Sequence, residues 1–431
     1  MKKTSLSILA LASVATALTS LPASAQELER GETILQRRRP EVEQLGVRAG
    51  AFLILPRVEA GVAYDSNVFL TENNTEGDWL YVIRPSLDVR SDFANHALNF
   101  GVSGDFGRYS DFSNENFSDY RVDLGGRYDI ARETAVSGSL FHRRLHEGRS
   151  DPDSTESGFV DPFQTGNFAE PVVYYASGGE AALTQDFNRI RVRLSALATN
   201  YDYKSVELFG GGEESLDDRD RWEYGTALRV GYDLGTGYQP FVQAAYTRTD
   251  YRRAADDRGR DRDSNGYEFD VGTTFELTGL LTGEIFAGYL TKRYGDPRIE
   301  DFSGLSVGGQ LNWAVTQLTT ISGRISRQIR ETDVTLNDVE ASNYTRTIVA
   351  AGVDHELLRN LLLNGRLQWR QDNFTGIDRT DNVYTASAGA TYLINRYLYL
   401  TGGYTYETRK SNVSGFDYKD NLVFLRVGAQ M

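Results

Sequence analysis

From Arg57 to Met431 this chain keeps one rhythm: segments of about ten residues with an apolar side chain at every second position, each ended by a tight turn or a polar loop. A strand turns successive side chains to opposite faces, so such a segment has one apolar and one polar face. At the C-terminus Val423, Leu425, Val427, Ala429 and Met431 share one face, and Phe424, Arg426, Gly428 and Gln430 share the other. A soluble sheet shows this stripe once or twice. Its repetition to the last residue predicts an all-β fold, a transmembrane antiparallel up-and-down β-barrel.

Counting segments from the first, near 57–69, to the last, near 420–431, predicts eighteen strands, or sixteen if two are merged or missed. The connections fall into two classes. After even-numbered strands they are short, as in Asp186-Phe187-Asn188 or Thr278-Gly279-Leu280. After odd-numbered strands they are long and polar, as from Arg149 to Pro171, Lys204 to Arg219, Arg252 to Asn265 and Asp372 to Asp381. Barrels of outer membranes have short periplasmic turns and long outer loops, which predicts both termini in the periplasm of a Gram-negative bacterium.

Residues 1–25 have a basic start, a short apolar run and Ala23-Ser24-Ala25 before Gln26, the pattern of a secretory signal peptide. Residues 26–54 do not alternate and are expected to form a periplasmic or lumen-inserted segment, with the barrel over 55–431. There is no Cys, so neither a disulfide framework nor a lipid-modified N-terminal cysteine is expected. The mean hydropathy of -0.44 suits a barrel, in which only every second strand residue meets lipid. The net charge of -14 weighs against nucleic acid.

Strand thirteen sets Ile321, Ile325 and Ile329 against Arg324 and Arg330, with Arg327 on the isoleucine face, where it can snorkel. Strand fifteen sets Leu361, Leu363, Leu367 and Trp369 against Arg366 and Arg370, and strand seven sets Ile190, Val192 and Leu194 against Arg189, Arg191 and Arg193. An arginine facing lipid at the midplane costs about 2–4 kcal/mol, so these rows, with Arg426, are expected to line the lumen. Two readings stay open. The arginines pair with inward carboxylates, for which Asp123, Asp129, Glu223, Asp233 and Glu284 are candidates, or they form an unpaired ladder for an anionic solute. Trp79, Trp222, Trp369 and Tyr384 lie near one end of their strands, and Tyr128, Tyr232, Trp313, Tyr392 and Tyr397 near the other, as interfacial girdles would.

No catalytic or cofactor-binding constellation appears. Asp261-Arg262-Asp263-Ser264-Asn265-Gly266 begins like a calcium loop, but position twelve is Gly272 instead of Glu. His142 and His146 share a strand face at a separation of about 13 Å, too far apart for one metal ion. No His sits in a pattern that singles out a lipase-type serine site on the barrel exterior. Of the loops, the 23-residue stretch from Arg149 to Pro171, with Pro152, Phe159, Phe163 and Phe168, is the candidate for an inward constriction.

The run Arg39-Pro40 through Gly46-Val47-Arg48-Ala49-Gly50-Ala51-Phe52, followed by Tyr64-Asp65-Ser66-Asn67-Val68-Phe69, resembles the putative beta-barrel porin 2 family of proteobacterial outer-membrane proteins. Ile83-Arg84-Pro85 and His96-Ala97-Leu98-Asn99-Phe100 are similar to that family's second hairpin. The resemblance implies a porin-like channel for small solutes, and some members are associated with exopolysaccharide export. A non-conducting barrel serving as scaffold or adhesin is the alternative. The expected partners are outer-membrane lipid and lipopolysaccharide, the barrel-insertion machinery, and a polysaccharide or small anionic solute. Monomer and trimer are both compatible with the sequence. Outer-membrane barrels commonly end in an aromatic residue, whereas this chain ends in Met431.

Overall fold

A computed structural model describes residues 34, 39, 41–152, 167–332, 334–336 and 339–431, so the expected signal peptide lies outside the described residues. Eighteen long strands form one closed antiparallel sheet. They are β1 Phe52–Asp65, β2 Asp78–Ser91, β3 His96–Tyr109, β4 Phe117–Ala131, β5 Thr134–His146, β6 Val173–Phe187, β7 Ile190–Tyr203, β8 Arg221–Tyr232 and β9 Tyr238–Tyr251. The rest are β10 Ser264–Leu277, β11 Leu281–Tyr294, β12 Phe302–Thr316, β13 Thr319–Glu331, β14 Asn343–Leu358, β15 Leu361–Thr375, β16 Thr380–Leu393, β17 Leu398–Ser411 and β18 Tyr418–Gln430. Each strand pairs with its sequence neighbours, and β1 closes the ring on β18 from Arg57↔Gln430 to Asp65↔Leu422.

The two faces separate as the alternation requires. On β18, Val423, Leu425 and Val427 are exposed outward while Phe424 and Arg426 are buried. On β7, Ile190 and Leu194 are exposed while Ser195, Thr199 and Tyr201 are buried. Contacts between non-neighbouring strands identify the concave face. Arg229 on β8 bonds Glu284 on β11 at 2.9 Å, and the Tyr399 hydroxyl on β17 donates to Glu59 on β1 at 2.6 Å. Side chains two or three strands apart meet only inside the curve.

The connections alternate between short turns and longer loops around the ring. Thr278 and Gly279 both take positive φ (56° and 67°), as a tight hairpin turn demands. Asn188 does the same at 56°. The loop expected from Asp372 to Asp381 is shorter than its polarity suggests, because β15 and β16 pair out to Asn373↔Thr380.

The first strand starts five residues earlier than its alternation predicts, at Phe52 instead of Arg57, and ends at Asp65. Pro56 reads as a break in the sequence, yet its carbonyl accepts the Met431 N–H at 3.3 Å. A residue's N and C=O point to the same side of a strand, so the nitrogen without hydrogen faces the place where β18 ends. The short strand Val47–Ala49 folds back on this extension, Val47↔Ile54, and covers the open edge. Val68 and Phe69 belong to a packed loop instead, with Phe69 edge-on to Phe112 at 4.9 Å.

Upstream, the chain reaches inner-face residues at the short-turn end. Ile34 is buried with Leu362, Leu393 and Tyr399, its N–H donates to the Thr320 hydroxyl at 3.0 Å, and Arg39 pairs with Glu356 at 2.8 Å.

Candidate functional site

The concave face is rich in charge, and most of that charge is matched. Arg191 pairs with Asp186 at 2.6 Å and Arg193 with Glu180 at 3.2 Å. Arg366 grips Asp354 through both oxygens, at 2.6 and 2.9 Å. Arg426 lies 3.8 Å from Glu59 and stacks over the Phe424 ring. Of the carboxylates singled out in the sequence, Asp123 meets Arg143, Asp129 meets Arg127, Glu223 meets Arg221 and Glu284 meets Arg229. Asp233 does not: it sits in a short turn and accepts the Gly235 N–H.

Arg189 departs from its expected place in the wall. It is exposed in the turn before β7, because the left-handed Asn188 completes a two-residue connection and delays the strand to Ile190. Arg324 and Arg330, both on the concave face of β13, have no ion-pair partner among the described residues. Arg330 lies within electrostatic reach of Asp372.

The long connection after β5 turns inward. Arg149 is buried and holds Glu115, in the loop after β3, through Nε at 3.1 Å and Nη2 at 2.5 Å. Its Nη1 donates to the Phe168 carbonyl at 3.2 Å, tying the two ends of the connection together. Two residues further on, Asp151 pairs with Arg346 of β14 at 3.2 Å, and the Ser150 carbonyl accepts from Arg370 of β15 at 2.9 Å. In a ring of eighteen, β14 stands opposite β5. The segment 147–152 is therefore a strap across the lumen at the long-loop end. Phe168, fully buried, packs with Val172, Tyr174, Tyr201 and Tyr203 at the strap's base. Phe159 and Phe163 lie outside the described residues.

The strap docks on a dense cationic patch. Arg346 holds Asp372 through both oxygens, at 2.7 and 2.8 Å. Arg370 lies 3.4 Å from the same carboxylate, within ion-pair range but misaligned for a hydrogen bond, so its Nε and Nη1 are buried without an acceptor. Nearby, Arg409 stacks on Tyr418 and gives Nε to the Phe416 carbonyl at 2.5 Å. Arg346 and Arg409 went unrecognised in the sequence because their flanks, Thr345, Thr347, Thr408 and Lys410, carry no apolar stripe to mark the faces.

On the convex side, His142 Nδ1 lies 2.7 Å from the Ser177 hydroxyl and Nε2 lies 3.4 Å from that of Tyr120. A tyrosine, not a carboxylate, is therefore at the second ring nitrogen. His146 turns away to Asp119 and stacks on Phe117.

A family model described as putative beta-barrel porin 2 matches residues 39–431. No curated protein matches the chain. Solved structures similar in fold include OccK2 (OpdF) of Pseudomonas aeruginosa, at 10% identity over 88% of this chain and 98% of that one, with TM-score 0.45. A BenF-like porin from Pseudomonas fluorescens Pf-5 shares 11% identity over 88% and 99%, with TM-score 0.43. The siderophore receptor PiuA of Acinetobacter baumannii shares 10% over 90% and 82%, with TM-score 0.44.

Proposed function

Because the chain belongs to the putative beta-barrel porin 2 family, a porin-like outer-membrane barrel, we propose that it is a channel for small anionic solutes, with its long loops at the cell surface. The observation that carries this reading is Arg324 and Arg330 on the concave wall, neither with an ion-pair partner among the described residues, beside the acceptor-free donors of Arg370. Fixed guanidinium donors on a pore wall lower the energy of an anion that has shed part of its water. Arg191, Arg193, Arg366 and Arg426 already face carboxylates and serve the wall itself. The strap across the mouth favours small solutes over a polysaccharide chain, since a polymer must displace buried ion pairs to pass.

The same strap, together with the contacts of Ile34 and Arg39 at the other end, supports a second reading, a closed barrel acting as scaffold or adhesin. Conductance of the purified protein in a planar bilayer separates the two. Channel events with a reversal potential favouring chloride in a potassium chloride gradient are expected, with the anion preference falling severalfold in Arg324→Gln/Arg330→Gln. Absence of events from folded protein overturns the channel. Unchanged selectivity in the double variant overturns the role of the two arginines.

A further inference from the structure

Two arginines on the convex face converge on one residue without a carboxylate between them. Arg108 is the last but one residue of β3, and Arg144 is the third from the end of β5, with β4 between. Arg108 Nη2 donates to the Ser118 hydroxyl at 2.9 Å, and Nη1 to the Phe117 and Gly107 carbonyls at 2.6 and 2.7 Å. From the other side, Arg144 Nη1 donates to the Ser118 carbonyl at 2.5 Å. Both belong to the outward register: Arg108 stands opposite the exposed Tyr81, and Arg144 stands opposite Tyr120 and Tyr175.

The surroundings set the depth. Trp79 and Tyr81 are exposed on β2 beside Arg108, at the long-loop end, and amphipathic rings mark the headgroup level of a barrel. Three other cations on this side of the molecule carry their own carboxylates: Lys204 has Asp202 at 2.8 Å, Arg248 has Asp250 at 2.6 Å, and Lys410 has Asp417 at 2.5 Å. Among the described residues, Arg108 and Arg144 meet only neutral oxygens. Two like charges anchored to one serine repel each other, which favours a countercharge from outside the chain. At headgroup depth the available countercharge is the membrane's own.

We propose that Arg108 and Arg144, seated on Ser118, form a binding site for the phosphate of an outer-leaflet glycolipid headgroup. A phosphate presents several oxygens to two guanidinium forks, a geometry that arginine matches better than lysine. Tyr81, Tyr120 and Tyr175 flank the site with apolar bodies against which acyl chains and sugar rings lie. The proposal rests on the long-loop end being the cell-surface end, but the binding itself does not depend on conduction.

The experiment is native mass spectrometry of the full chain in detergent, offered diphosphorylated lipid A and, separately, its dephosphorylated form. Retention of the phosphorylated lipid at least tenfold above the dephosphorylated one is expected. It should fall at least tenfold in Arg108→Gln/Arg144→Gln and persist in Arg248→Gln, with folding checked by the heat-dependent gel shift of a closed barrel. Equal retention of the two lipids by the unaltered protein overturns the proposal without recourse to any variant. So does undiminished retention by a folded double variant, or complete displacement of the lipid by millimolar inorganic phosphate, which would mark a free-phosphate site. Channel conductance of the double variant should match the parent, so a failed channel reading and a failed lipid site give different results.

Discussion

Asn67 shows how one side chain secures the end of the barrel wall. It is fully buried just past β1, and its amide donates to the Thr71 and Lys419 carbonyls, both at 2.9 Å, while its oxygen accepts the Thr71 N–H at 3.0 Å. It thus ties the first loop both to itself and to β18. Asn67→Ala leaves these backbone groups without partners, at about 1–3 kcal/mol for each group that water does not reach. A lower urea midpoint for the heat-dependent gel shift is the expected outcome. The sequence shows this residue within Tyr64-Asp65-Ser66-Asn67-Val68-Phe69, but its alternation reads as strand. What reveals the loop is the left-handed Leu70 (φ 52°), a conformation that no local composition announces. The wall arginines were legible wherever an apolar stripe flanked them, as on β13 and β15. Their pairing was not, because an ion pair such as Arg229 with Glu284 joins strands far apart in the chain.

Among the elements, the strap combines an anchored base and a docked tip. Breaking a buried pair by removing one partner leaves a buried charge uncompensated, at about 3–5 kcal/mol. Glu115→Gln should therefore loosen the strap base and Asp151→Asn its tip. Both are expected to raise single-channel conductance and speed protease cleavage between β5 and β6, whereas Glu41→Gln, from the exposed pair with Arg359, should change neither. Length and aromatic content pointed to this loop as inward-turning, but its docking partners are on the opposite wall and could not be read locally. The loop between β11 and β12 allows a pH test. Hydrogen bonds from Arg298 hold the Asp296 carboxyl well below its ordinary range. A carboxylate depressed in the fold stabilises above its unfolded pKa and loses that contribution as pH falls through the folded value. The protection of residues 295–301 against hydrogen exchange, taken relative to the intrinsic rate at each pH, should thus be unchanged from pH 7 to pH 5 and fall only in stronger acid. Arg298→Gln should bring that fall to a higher pH.

At the scale of the whole molecule, strand number and alternating connections were readable because lipid on one side and a polar lumen on the other impose the same period of two on every strand. The ends of β1 were not, because a closing strand answers to a neighbour hundreds of residues away. That closure puts one seam in the ring. The first and last strands keep bare edges until they meet, so the barrel has one zipper. Ala60 and Val427 face each other across it, and the chain contains no Cys to compete. Ala60→Cys/Val427→Cys should oxidise to an intramolecular disulfide only after closure, which makes the appearance of that bond a clock for the last step of folding.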